Sequence, residues 1–109
     1  KELRYNLSCR LFTDVKCFGP GVAQLLHRVE RLHSLRAAAM EMEMAYSKAW
    51  TVIKNSENAL GFKLLASTTG GSGADTGGQA LLSAYDQFCA ELREYGDKLF
   101  AEKFGEFLN

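Results

Sequence analysis

From Gly21 to Ala66 the apolar residues return every three or four positions: Val22, Leu25, Leu26, Val29, Leu32, Leu35, Ala39, Met42, Tyr46, Ala49, Trp50, Ile53, Leu60 and Leu64. That spacing lines one face of a helix with ~3.6 residues per turn. Read as one helix over 20–66, the stretch would be roughly 65–70 Å long at ~1.5 Å per residue. A rod of that length cannot be covered by the rest of a 109-residue chain folded into a ball. The periodicity therefore predicts a second helix beside the first and a partner that covers what remains. The predicted fold class is all-α: an antiparallel, coiled-coil-like helical hairpin with one very long helix, completed by a partner chain. The whole of 1–109 is expected to be a single helical module.

Ser67 to Gly78 (STTGGSGADTGG) reads as a flexible loop between the two helices. It lacks the Gly-Lys-Ser/Thr ending that would make it a phosphate loop. Thr76 and Gln79 stand at the spacing of a capping box and open a second helix over 79–108. There Leu81, Tyr85, Phe88, Leu92, Tyr95 and Leu99 alternate four and three apart, a heptad seam. Leu82, Cys89, Phe100, Phe104 and Phe107 widen it. The six seam residues, with Tyr46, Trp50 and Ile53 of the long helix, are the candidate partner-binding residues.

Residues 1–18 carry two periods at once. Leu3, Leu7, Leu11, Val15 and Phe18 follow helical spacing, while Leu3, Tyr5, Leu7, Cys9, Leu11, Thr13, Val15 and Cys17 alternate as in a half-buried strand. A lone strand leaves its backbone groups unpaired, so an amphipathic helix folded back on the bundle is expected. Its alternative role is an anchor in a membrane interface, with Phe12 and Phe18 inserted. Gly19-Pro20-Gly21 separates this element from the long helix, and Asn55-Ser56-Glu57-Asn58 is a point where that helix could kink.

The formal net charge is zero, which gives no global steering toward nucleic acid or membrane. Residues 1–66 nevertheless carry ten Lys/Arg against six acids and residues 67–109 three against seven, a polarity suited to packing one helix on the other. Three cysteines without metal-ligand spacing read as reduced thiols in an intracellular protein. The chain opens at Lys1 rather than Met, so a processed or excised piece is expected. His27 and His33 fall on different helix faces, no metal-protease or di-iron motif occurs, and no serine sits in a nucleophile motif. An enzyme is not expected, nor a metal, cofactor or small-molecule substrate. Nucleic acid is not expected either, because acids are interleaved with Arg28, Arg31, Arg36 and Lys48 and no helix-turn-helix punctuation stands out.

Tyr46-Ser-Lys-Ala-Trp50, Ile53 and Leu60-Gly61, followed by Ala80-Leu81-Leu82 with Tyr85, Phe88, Leu92 and Arg93-Glu94, resemble the first two long helices of BAR-type membrane-remodelling domains. The resemblance implies a crescent-shaped dimer of kinked helices, with Arg28, Arg31, Arg36, Lys48 and Lys54 on anionic lipid phosphates. Residues 1–18 would take the place of that family's amphipathic N-terminal helix. The expected function is a non-catalytic scaffold and assembly module, a homodimer bound peripherally to an anionic membrane. The alternative is a structural accessory subunit of a larger multiprotein complex, packed against an obligate helical partner and with no membrane or catalytic role of its own. The expected location is intracellular, cytoplasmic or organellar.

Overall fold

The structure, a computed structural model, describes residues 1–68, 71–74 and 76–108, with the backbone alone for 67, 68, 71–74 and 76. Its order is β1 (Leu11–Phe12), β2 (Lys16–Phe18), α1 (Pro20–Leu32), α2 (Leu35–Glu41), α3 (Tyr46–Leu60), β3 (Leu65–Thr68), β4 (Gly71–Ala74) and α4 (Thr76–Phe104), closed by a 3-10 turn over Gly105–Phe107. The chain is mostly helical, in keeping with the all-α expectation, but two small antiparallel hairpins join the helices.

The single long helix over 20–66 is instead three helices. α1 begins with Pro20 in its first turn and stops at His33, whose φ of 57° is left-handed and whose N–H donates to the Val29 carbonyl at 2.7 Å. Ser34 then caps α2, its hydroxyl accepting from the Ala37 N–H at 3.0 Å. A second break at Met42–Ala45 turns on Glu43, φ 55°. The apolar spacing runs on through both breaks because each short helix needs its own inward face. Folded back, those faces bury one another: Val22, Leu25, Leu26 and Val29 meet Leu35, Ala38, Ala39, Ala49 and Ile53. Three alanines with no exposed surface, Ala38, Ala39 and Ala49, let the helices approach closely. This core needs no rod-length partner, which removes the premise of the partner-completed hairpin.

α3 runs unbroken through Asn55–Asn58. Ser56 and Glu57 are buried there and hydrogen-bonded. The Ser56 hydroxyl donates to the Cys17 carbonyl, and the Glu57 carboxylate accepts from the backbone N–H groups of Leu64 at 2.7 Å and Leu65 at 3.2 Å. The helix ends at Gly61, where φ is 87° and the N–H returns to the Glu57 carbonyl at 2.8 Å.

Most of the predicted loop at 67–78 belongs to the second hairpin and to the start of α4. Leu65 pairs with Ala74, Ala66 with Gly73, Ser67 with Ser72 and Thr68 with Gly71. The capping box rests on Thr76, whose side chain lies outside the described residues. α4 begins at residue 76, and its first turn crosses the chain at Leu64. A Cβ on Gly78 would stand 2.2 Å from the Leu64 carbonyl oxygen, so only glycine fits that crossing.

The N-terminal helix over 1–18 is absent. Residues 1–10 run extended, then form the β1–β2 hairpin. Tyr5, Leu7 and Cys9 are half-buried between exposed neighbours, so the alternation is the operative period. Side chains of α4 supply the missing backbone partners. Tyr85 Oη donates to the Cys9 carbonyl at 2.7 Å, and Arg93 Nη2 lies 3.4 Å from the Leu7 carbonyl. Tyr5 Oη donates to Asp97 Oδ1 at 2.6 Å, so this strap runs antiparallel to α4. Gly96 makes room for it, since a Cβ there would be 2.7 Å from the Tyr5 hydroxyl. Phe18, offered above as a membrane-inserting side chain, is fully buried, its ring 5.0 Å from Tyr85 in an edge-to-face contact.

Candidate functional site

α2, the short turn Met42–Ala45 and α3 form a compact helical corner. The turn is held by backbone bonds from Met42 N–H to Ala38 O at 3.1 Å and from Met44 N–H to Ala39 O at 2.9 Å. α3 buries Ala49, Ile53, Ser56 and Glu57 on one side. Its opposite side carries Ser47, Thr51, Asn55 and Asn58, all exposed, with Lys48 at one flank and Trp50 at the other. Ala45 offers no side-chain cap to the first turn. That turn therefore presents backbone N–H groups and the positive end of the helix dipole to solvent.

The charge distribution follows the elements. Between Ala45 and Ala66 the bases are Lys48, Lys54 and Lys63, and the one acid, Glu57, is buried. α4 carries most of the acids of the chain's second half, Asp86, Glu91, Glu94, Asp97 and Glu102. A net charge of zero thus hides a basic α3 and an acidic α4. Global neutrality is the wrong quantity on which to set nucleic acid aside.

The five basic candidates do not act together. Arg28 and Arg31 both reach Glu41 across the α1–α2 junction; Arg28 Nε is 3.0 Å from Glu41 Oε1 but has no aligned acceptor for its N–H. Arg36 stacks over the Tyr46 ring, 4.2 Å from its centroid. Lys54 Nζ lies 3.3 Å from Glu57 Oε1 and 5.5 Å from the Trp50 ring centroid. Lys48 is exposed beside the polar face of α3.

The partner-binding candidates divide as well. Ile53 and Tyr85 are buried in the core of the chain itself, and Leu81 packs against that core. Tyr46 and Trp50 are exposed on α3, at 39% and 47%. Phe88 and Tyr95, at 51% and 63% exposed, line an open stripe on α4 with the half-buried Leu92 and Leu99. Phe12 is exposed at 64%, on the β1–β2 hairpin. Sequence reasoning passes over Ser47, Thr51, Asn55 and Asn58. The signal is there nonetheless: in a helix whose inward residues are Ala49 and Ile53, these positions point outward.

The β3–β4 hairpin follows α3 directly. Glu57 fixes its base by binding the Leu64 and Leu65 amides, so the last turn of α3 and the start of the hairpin are tied together.

No curated protein matches the chain. Residues 22–75 match the family model described as bacterial regulatory helix-turn-helix protein, lysR family. The matched span opens in α1, includes the whole of α2, the turn and α3, and ends just past β4. This finding overturns the BAR-type resemblance, and with it the membrane scaffold, the accessory subunit and the exclusion of nucleic acid. The expectation that the chain is not an enzyme agrees with the match, which is to a family of regulatory proteins. Over just under half of its length, the chain is similar to a bacterial helix-turn-helix regulator.

Proposed function

We propose that this chain binds double-stranded DNA as a transcription-regulator module, with α3 as the recognition helix in the major groove. One observation carries the reading: α3 is a 15-residue helix behind a tight turn, with a buried apolar side and an exposed face of Ser47, Thr51, Asn55 and Asn58. A major groove ~12 Å wide admits one helix, and these side-chain types bond to base edges. Asn55 has the donor–acceptor pair that reads adenine, and the Thr51 methyl suits a thymine. Lys48 and Lys63 serve the phosphates, together with the uncapped N–H groups at the start of α3. α2 crosses the backbone above the groove. The hairpin beyond it, rich in Ser, Thr and Gly and without Lys or Arg, lies against the adjacent sugar–phosphate as a wing.

α4 completes the reading. Its open stripe of Phe88, Leu92, Tyr95 and Leu99 is the interface of a two-fold dimer, which sets two α3 helices on successive turns of one DNA face. The work is done where chromosomal DNA lies, in the cytoplasm of a bacterial cell.

The test is fluorescence anisotropy of a labelled mixed-sequence duplex titrated with the chain across a salt series. The reading predicts binding at low salt with a Kd of order micromolar, weakening as salt rises. Replacing Lys48 and Lys63 by alanine should lower the salt slope by about 2, roughly one for each phosphate left without its lysine. A folded chain that ignores duplex DNA at low salt, or binds with an unchanged slope in the double variant, would overturn it.

A further inference from the structure

The strap and α4 bring two cysteines to one cleft. Tyr85 Oη holds the Cys9 carbonyl at 2.7 Å, and Cys89 lies one helical turn beyond Tyr85 on the same side of α4. Both thiols, with Leu7, Ala23, Gln24 and Arg93, line a cleft of about 280 Å³ between the strap, α1 and α4. Both are half-buried, so a small solute entering the cleft reaches them, whereas Cys17 is buried with its Sγ 3.4 Å from the Leu11 carbonyl. None of these groups takes part in the DNA interface proposed above.

The geometry points to Cys9 and Cys89 as an oxidative modification site, a thiol pair that peroxide converts into a disulfide stapling the strap to α4. Hydrogen peroxide transfers one oxygen to the Cys9 sulfur, giving the sulfenic acid and one water. The Cys89 sulfur then attacks that sulfur, the S–O bond breaks and a second water leaves with the Cys89 proton. Two thiols lose two electrons in total and one peroxide gains them. Burial, with the neighbouring Cys9 and Asp86, pushes the Cys89 thiol up despite an opposing hydrogen bond with Tyr85. A thiol so shifted holds its proton and is slow to meet the oxidant, so Cys89 takes the resolving role. The staple closes a loop spanning β1, β2, the whole helical corner and the base of α4, so it restrains the unfolded chain across most of its length.

The experiment exposes the full chain to hydrogen peroxide, removes the excess, and counts free thiols after denaturation. Peptide mapping without reductant follows. Free thiols should fall from three to one per chain, with Cys9 and Cys89 in one cross-linked peptide pair and Cys17 free. The melting temperature should rise and return on adding dithiothreitol. Cys9→Ser and Cys89→Ser should each leave no intrachain bridge, and Cys17→Ala should leave the bridge intact. Bridges between two chains, a bridge containing Cys17, or oxidation to sulfinic acid with no bridge would each overturn the assignment. The mapping of the unaltered chain decides this even if a variant fails to fold.

Discussion

Gly78 and Glu57 show how single residues hold the chain that leaves α3, at Leu64 and Leu65. At Gly78 a side chain would collide with backbone at Leu64 rather than with a movable side-chain tip. Gly78→Ala is therefore expected to destabilise by about 1–3 kcal/mol or more, the cost of overpacking against atoms that cannot yield. Thermal unfolding checks it. Glu57→Ala strips the buried Leu64 amide and the half-buried Leu65 amide of their acceptor and should cost about 2–4 kcal/mol. Because those amides anchor the wing, DNA affinity should fall in the protein that remains folded. Tyr85 gives a pH dependence. Burial, reinforced by the Cys89 and Cys9 thiols, raises its phenol from 10.0 to about 12. The folded state then holds its proton more tightly than the unfolded state. The stability this gives is fully present below about pH 10 and declines as pH climbs toward 12. A melting-temperature profile over that window should fall for the natural chain and flatten in Tyr85→Phe. Neither Gly78 nor Glu57 announces its role in the sequence: one reads as loop glycine, the other as part of a polar interruption, because each acts on a backbone distant from its own helix.

At the scale of elements, apolar periodicity yields the correct inward faces and the wrong connectivity. A stripe of residues three and four apart is equally satisfied by one rod and by three short helices folded together. Only the turns distinguish the two. Those turns rest on His33 and Glu43, non-glycine residues in left-handed geometry, where sequence reasoning looks for glycine or proline. Ser34 before Leu35 is the legible clue, as an N-cap opening a fresh apolar face. The strap is legible too, in the alternation of Tyr5, Leu7 and Cys9. What hides it is that its backbone partners are side chains of α4, 76 and 86 residues away in sequence, which no local pattern reveals. On α3 itself the expected order of effects follows from position. Thr51→Ala and Asn55→Ala should relax sequence preference at one base pair each by about 1–3 kcal/mol, whereas Lys48→Ala should weaken all sequences alike. Competition binding against single-base-pair variants of a selected site separates the two behaviours.

The molecule as a whole is elongated, 57 × 28 × 21 Å, because α4 at 29 residues extends beyond the helical corner. Its inner face is covered by the strap, and the adjacent stripe of Phe88, Leu92, Tyr95 and Leu99 is not covered by the chain itself. The heptad seam in the sequence announces that stripe. What it cannot announce is that Leu81 and Tyr85, in the same register, turn into the chain's own core. Replacing Leu92 and Tyr95 by arginine should give a folded monomer by light scattering. Its affinity for a two-half-site duplex should fall by more than about tenfold, since each half-site then binds alone. The absence of helices long and apolar enough to cross a membrane among the described residues leaves the DNA reading to stand on its own positive features. The measurement that reaches it most directly is selection of binding sites from a random duplex pool by the full chain. The account predicts enrichment of a two-fold symmetric sequence with half-sites ~10 base pairs apart, centre to centre, and an altered sequence when Thr51 and Asn55 are replaced. A pool that stays random through repeated rounds with folded, dimeric protein, or a selected sequence indifferent to those replacements, would contradict it.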